Sequence, residues 1–78
     1  MPRYFFDVID GSHFRDEDGT DLAAKHVARD QAIKLAAQWL LDNPTALNGD
    51  GDLRVEVRNQ DGLRLFTVTT FVTESAAA

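Results

Sequence analysis

The sequence contains no cysteine, only two prolines and no long apolar run. Without cysteine the chain forms neither disulfides nor thiolate zinc sites, and it has no cysteine nucleophile. No apolar segment approaches the roughly 20 residues that span a bilayer. The opening residues, Met1 to Tyr4, lack the apolar stretch of a signal peptide. We therefore expect a cytoplasmic protein that makes no membrane contact.

Basic residues are also few, because eight Lys and Arg stand against thirteen Asp and Glu, for a formal charge of -5 at pH 7. An acidic chain repels the phosphates of nucleic acids and of anionic lipids. Nucleic acid is therefore a disfavoured partner. The 78 residues, 44% of them hydrophobic, suffice for one small core, so the sequence predicts a single domain over 1–78.

The first part of the chain predicts a β-hairpin. Residues 3–9 are rich in aromatic and β-branched side chains, which favour a strand. Gly11 follows an aspartate and allows the tight turn into a short second strand over about 13–16. The register that separates apolar from charged side chains places Val8 opposite Phe14, and it continues to Asp7 opposite Arg15.

Residues from about 22 to 43 predict one long helix. The stretch contains neither glycine nor proline and is rich in alanine, and Pro44 ends it. Thr20 or Asp21 is predicted to cap its first turn. At 100° per residue, the predicted core stripe consists of Ala24, Ala28, Ala32, Leu35 and Trp39.

The last part of the chain predicts a second hairpin. Apolar and charged residues alternate over 53–58, which is typical of a strand with one wet face. A loop over 59–62 leads into a strand over 63–72, and a loop of that length places Val55 opposite Phe66.

Together these elements predict an α+β domain with two layers in ββ-α-ββ order. A four-stranded, mainly antiparallel sheet carries one long helix packed on one face. An antiparallel sheet requires either the first strand beside the third or the second beside the fourth, and the pattern leaves both orders open. Residues 74–78 are expected to fray.

Several short segments resemble a family of short bacterial proteins of unknown function. They are Met1-Pro2-Arg3-Tyr4-Phe5-Phe6-Asp7, Asp18-Gly19-Thr20, Val55-Glu56-Val57-Arg58 and Asp61-Gly62. The likeness spans nearly the whole chain. It implies a stand-alone bacterial domain of this length, and it brings no activity, cofactor or catalytic residue with it.

The sequence predicts no catalytic, cofactor-binding or metal site. Ser12 and Ser75 have no base and orienting group at a recognisable spacing. No glycine-rich loop precedes the helix in a phosphate-binding form. His13 and His26 are interpreted as surface residues, because nothing in the spacing makes other ligands or bases converge on them. We therefore expect neither an enzyme nor a cofactor.

Two acidic turns leave a weak divalent-cation site as an alternative. Asp16, Asp18 and Asp21 offer hard oxygen ligands, as do Asp50 and Asp52. Neither turn has the spacing of a helix-loop-helix calcium site. Turn-forming and helix-capping roles for these aspartates are favoured instead.

A single helix cannot cover both faces of a sheet, so we expect apolar side chains on the second face. Those predicted there are Phe5, Ile9, Leu65 and Phe71. A further apolar seam on the outer side of the helix consists of Ile33, Ala37 and Leu41. Contiguous apolar patches on small domains mark contacts. The main hypothesis is a non-catalytic protein–protein interaction module that forms a homo-oligomer, with a dimer favoured and a heterologous protein as the other form of partner.

The same sheet face permits a second hypothesis, a single-stranded nucleic-acid-binding sheet. Aromatic side chains among arginines form stacking platforms for bases and phosphates. The residues concerned are Arg3, Phe5, Arg15, Arg54 and Arg58. The net charge of -5 opposes this reading, as do Asp7 and Glu56 on the same predicted face.

Overall fold

The computed structural model describes residues 1–49 and 51–76. Its elements in chain order are β1 (Arg3–Asp10), β2 (Ser12–Phe14), β3 (Thr20–Asp21), α1 (Lys25–Asp42), β4 (Asp52–Asn59) and β5 (Arg64–Phe71). The predicted α+β class and the order of strands, helix and strands are confirmed, and β3 is an added short strand. Asp50 and residues 77–78 lie outside the described chain. Asp50 is one of the two aspartates of the second acidic turn, and residues 77–78 are the end of the tail that is expected to fray.

The strands form one antiparallel sheet in the order β2-β1-β4-β5. The sequence left two strand orders open, with either the first and third or the second and fourth predicted strands as neighbours. The first of these orders is present, because β1 pairs with β4, which is the third predicted strand. Tyr4 pairs with both Thr20 and Asn59, so β3 lies on the side of β1 away from β4, in line with β2. Together β2 and β3 form one interrupted edge strand.

The register of the first hairpin is confirmed where it forms, since Val8 pairs with Phe14. The predicted strand over 13–16 is too long, however, because β2 ends at Phe14. Arg15 consequently does not pair with Asp7. The chain leaves the sheet edge at this point, and the Asp16 carboxylate accepts the Phe6 amide of β1.

The predicted pairing of Val55 with Phe66 is wrong, and Val55 pairs with Val68 instead. The Asn59 amide donates to the Leu63 carbonyl at 2.9 Å, which makes the turn shorter than predicted. A β-bulge follows on the next pair of residues. The turn and the bulge each shift the register by one residue relative to the prediction. Because the total shift is two residues, the side chain of Val68 stays on the face of the sheet on which the predicted register places it.

The helix is shorter than predicted at its start. It begins at Lys25 after Ala24, which makes no side-chain capping hydrogen bond. The predicted cap by Thr20 or Asp21 is wrong, because these residues pair with the first residues of β1 as β3. The helix ends at Asp42, close to its predicted end. No helix in the described part of the chain is long and apolar enough to cross a membrane.

The core lies between α1 and the central strands β1 and β4. Its buried hydrophobic residues are Tyr4, Phe6, Val8, Ala28, Ala32, Ala36, Leu53, Val55 and Val57. The three alanines let the helix approach the sheet closely, and the β4 side chains beneath it are fully buried. The predicted stripe is present in its main part, since Ala28 and Ala32 are buried while Leu35 and Trp39 pack against the core.

Candidate interaction surface

The sheet face opposite α1 is partly covered by the chain's own segment 15–19, which joins β2 to β3. The Arg58 guanidinium donates from Nη2 to the Asp16 carbonyl at 2.8 Å. A Cβ atom placed on Gly19 would lie 2.8 Å from Cε2 of Phe5. Gly19 of segment 15–19 therefore lies close to the Phe5 ring, and Arg58 binds the main chain of the same segment.

A buried ion pair anchors this segment. The Asp7 carboxylate is on a residue that is only 4% exposed, and it accepts a hydrogen bond of 2.9 Å from Nε of Arg58. It also accepts the Asp16 amide at 2.9 Å. Because both oxygens of Asp7 are used, the charge is compensated by one guanidinium and one main-chain amide.

The Asp16 carboxylate replaces strand pairing in the gap between β2 and β3. It accepts the Phe6 amide of β1 at 3.1 Å, and it accepts the amides of Asp18 and Gly19, each at 3.0 Å. The Phe6 amide on this edge of β1 thus has a hydrogen-bond partner without a continuous strand beside it. This is why β2 stops at Phe14.

Both carboxyls are ionised at neutral pH. Burial acts to raise the pKa of Asp7, but hydrogen bonds from Arg58 and the Asp16 amide outweigh it, so the pKa lies below the usual value. Burial also acts to raise the pKa of Asp16, and the amide hydrogen bonds that it accepts, from Gly19 first, bring the pKa below the usual value.

The arginines of the nucleic-acid alternative are engaged within the chain. Arg3 donates to the Asp21 carboxylate at 3.0 Å, and the Arg58 guanidinium lies 4.6 Å from the centre of the Phe5 ring. One side of that ring therefore faces Arg58, and Gly19 lies close to ring atoms Cε2 and Cζ. Stacking of a base on Phe5 would require this cover to move.

The remaining arginines of that set lie near acidic side chains. Arg54 is 3.7 Å from Glu56, and Arg15 is 3.8 Å from Glu17. Nε of Arg54 is buried without a hydrogen-bond partner in the described chain. These arginines therefore form a mixed-charge surface rather than a continuous basic one.

The first acidic turn does not converge on a point. Asp16 binds main-chain amides, Asp21 binds Arg3, and Asp18 is exposed. Over residues 1–49 and 51–76, no group of three or more histidine, cysteine or acidic side chains is arranged to hold a metal ion.

The apolar sheet face predicted from Phe5, Ile9, Leu65 and Phe71 is not continuous. Phe5 is covered as described, Ile9 is half-buried, and Leu65 packs against the core next to the bulge. Phe71 is the last residue of β5 and is 65% exposed. The helix seam is more open, since Ile33 and Leu41 are 44% and 75% exposed and Ala37 is also exposed.

Strand β5 forms the outer edge of the sheet on the other side. Phe6 faces Val57, and its amide points away from β4 toward Asp16. Phe6 and Val57 are therefore a non-hydrogen-bonded pair, and the main chain of Val57 points toward β5. By alternation, the main-chain groups of Thr67 and Thr69 point outward from the sheet, where no described strand pairs with them.

An open groove of about 610 Å³ runs between this edge and α1. It exists because α1 lies chiefly over β4 and covers β5 less. Its apolar lining includes Ile33, Phe66 and Val68, of which the last two are half-buried. We call this groove, together with the outer main-chain edge of β5, the edge surface.

One end of the edge surface is basic. Lys25, His26 and Arg29 line the groove, and no acidic side chain is among the described residues that line it. The first turn of α1 holds no acidic residue and its last turn no basic one. Lys25 and Arg29 therefore place positive charge at the end of the helix where the macrodipole is already positive. Acidic residues there would have compensated the macrodipole instead.

The sequence predicts Ile33 as part of an exposed apolar seam on the helix, but it does not predict the groove that Ile33 lines. Phe66 and Val68, which line this groove, pack against the core as partly buried residues. Lys25 and Arg29 carried a usable signal, because basic residues near the start of a helix oppose the usual preference for acids there.

Comparison with models of known protein families gives one match. A family model described as a domain of unknown function (DUF6894) matches residues 3–72. No curated protein and no solved structure matches the chain. The edge surface and the buried ion pair must therefore be interpreted from their own chemistry.

Proposed function

The chain belongs to the family described as a domain of unknown function (DUF6894), and we propose that it is a non-catalytic protein–protein interaction module that self-associates through the edge surface. The proposal takes up the homo-oligomer expected from the sequence. It assigns the contact to β5 and the adjoining groove, with Ile33 as the residue shared with the predicted helix seam.

The observation that carries the proposal is the contrast between the two edges of the sheet. The edge formed by β2 and β3 is short and interrupted, and Asp16 occupies the gap between them. The edge formed by β5 is eight residues long. Residues 65–71 contain neither a charged residue nor a proline, although such residues are the usual protection of an exposed edge.

The groove beside β5 adds apolar area to the unpaired main chain. Phe66 and Val68 are half-buried there, and Ile33 stays 44% exposed. A strand added to β5 would bury these side chains and pair the outward groups of Thr67 and Thr69 at the same time. A second copy of the chain carries the same edge, so the contact can be isologous and closed.

The buried polar groups support a binding role over a catalytic one. Asp7 and Asp16 use their carboxylate oxygens on Arg58 and on main-chain amides. A general acid or base needs reach to a substrate in a cleft, whereas these carboxylates hold segment 15–19 in place.

Sedimentation velocity over a concentration series tests the proposal. We expect the mass to rise from monomer toward dimer between low and high micromolar protein. A monomer mass throughout would overturn self-association, and a heterologous strand would then be the partner to seek.

A proline variant tests the assignment to β5. Thr69→Pro removes an outward amide and keeps the hydrogen bonds to β4, as edge strands tolerate. We expect it to be folded and monomeric. Thr73→Pro, which lies beyond the end of β5, is the control and should associate like the native chain. Equal association of both variants would contradict the assignment.

A further inference from the structure

The edge surface has a direction, because its basic end and its apolar centre lie at different heights along α1. Lys25, His26 and Arg29 line the groove at the start of the helix, and Ile33 lies one to two turns further along. The helix ends with Asp42 and with no basic residue in its last turn. One end of the helix is therefore positive, and the other carries the negative end of the macrodipole.

We propose that two copies pair β5 with β5 in antiparallel orientation about a two-fold axis at Val68, so that one sheet continues through both copies and the two α1 helices lie antiparallel on the same face. This inference rests on the proposed self-association and specifies its geometry.

The alternation of the main chain limits where the axis can lie. The outward groups belong to Thr67 and Thr69, so these residues must face outward-pointing residues of the second copy. An axis at Val68 places Thr67 opposite Thr69 of the second copy. It also pairs residues 65–71 of the two strands along their whole length. A register displaced by one residue would set outward groups against inward ones and leave both unpaired.

The helices fit this arrangement without collision. Strands in a sheet are about 4.8 Å apart, so a helix over β4 lies roughly 14 Å from its counterpart, three strand spacings away. Helices in direct contact are about 8–10 Å apart. The two grooves therefore join into one channel between the helices, and Ile33, Phe66 and Val68 of both copies fill it together with the stems of Lys25 and Arg29.

Charge favours a second copy as the occupant of the groove. In the antiparallel arrangement, Lys25 and Arg29 of one copy face the carboxyl-terminal end of the other helix, where carbonyl groups and Asp42 supply negative charge. The same contact occurs twice because of the two-fold axis. Lys25 and Arg29 are unfavourably placed with respect to the dipole of their own helix, but in the dimer they attract the negative end of the facing helix.

The absence of native cysteine makes single-cysteine crosslinking a direct test. In the proposed dimer, Val68 faces Val68 of the second copy as a non-hydrogen-bonded pair, with Cα atoms about 4.5 Å apart. A disulfide can form at that distance. Thr70 lies on the same face but would be about 13 Å from its counterpart, beyond disulfide reach.

Val68→Cys and Thr70→Cys are oxidised at a concentration at which the native chain is dimeric, and circular dichroism checks that both are folded. We expect Val68→Cys to become mainly a disulfide-linked dimer and Thr70→Cys to stay reducible monomer. Crosslinking of Thr70→Cys in place of Val68→Cys would overturn the register. Failure of both variants while the native chain dimerises would overturn the β5 geometry and leave self-association standing, whereas a monomeric native chain would overturn both.

Discussion

The Asp7 carboxylate and the Arg58 guanidinium form a buried ion pair with a hydrogen bond of 2.9 Å from Nε. Their side chains are only 6% and 13% exposed. They lie on neighbouring central strands, β1 and β4, on the face opposite the helix. Through Asp16 they also fix segment 15–19 across that face.

Asp7→Ala should lower the free energy of unfolding by about 3 kcal/mol or more, because removing one partner leaves a buried charge uncompensated. Urea unfolding followed by circular dichroism measures the loss. Asp21→Ala is the matched control, since its pair with Arg3 is about half exposed and should contribute at most about 1 kcal/mol. Similar losses for the two variants would contradict the role given to Asp7.

Stability should fall in acid because of Asp7 and Asp16. Both have a folded-state pKa below the usual value, so their contribution is present above the unfolded-state pKa of about 4 and is lost as the pH falls through the lower folded-state values. Urea midpoints measured from pH 7 downward should stay level to about pH 5 and then decrease. Asp7→Asn should show a shallower decrease, and an unchanged slope in this variant would exclude Asp7 as a source.

Gly19→Ala should destabilise the protein by about 1–3 kcal/mol, because it combines a positive φ with a steric clash. The φ angle is 73°, and the added Cβ would lie 2.8 Å from the Phe5 ring. Gly11→Ala provides the control, since its φ is similar, at 69°, and no described atom lies within 4 Å of its Cβ. The difference between the two losses in urea unfolding measures the contact on Phe5. Equal losses would mean that the segment does not press on the ring.

Lys25→Glu should weaken the dimer roughly tenfold at low salt, because the contact with the facing helix end is reversed twice. Sedimentation velocity at two salt concentrations measures the change, which should shrink as salt screens it. Lys34→Glu makes the same charge change on the opposite flank of α1 and should leave association near its native strength. A greater effect of Lys34→Glu would place the contact on the other flank.

Local pattern accounts for most of the fold. The alternation over 53–58 identified β4, and the pairing of Val8 with Phe14 followed from keeping apolar and charged side chains apart. The strand β3 was missed because two residues, Thr20 and Asp21, are too few to show a period. The second register was wrong because the turn and the bulge depend on single hydrogen bonds that a residue pattern does not display.

The candidate site was harder to predict, because its contacts are remote in sequence. Asp7 and Arg58 are 51 positions apart, so the nearer Arg15 appeared to be the partner. Which strand lies at an edge also depends on the order of strands, which the pattern left open. Ile33 could be recognised as exposed, but the groove beside it requires knowing that β5 and α1 are neighbours.

The sole tryptophan of the chain sits where the helix end meets the first hairpin. Nε1 of Trp39 donates to the Asp10 carboxylate at 2.8 Å, and the ring centre lies 5.1 Å from that of Phe14. We therefore expect its fluorescence to report on this junction. Detachment of the helix end from the hairpin should shift the emission to the red, whereas association along the edge surface should leave it unchanged, so one optical signal would separate assembly from local opening.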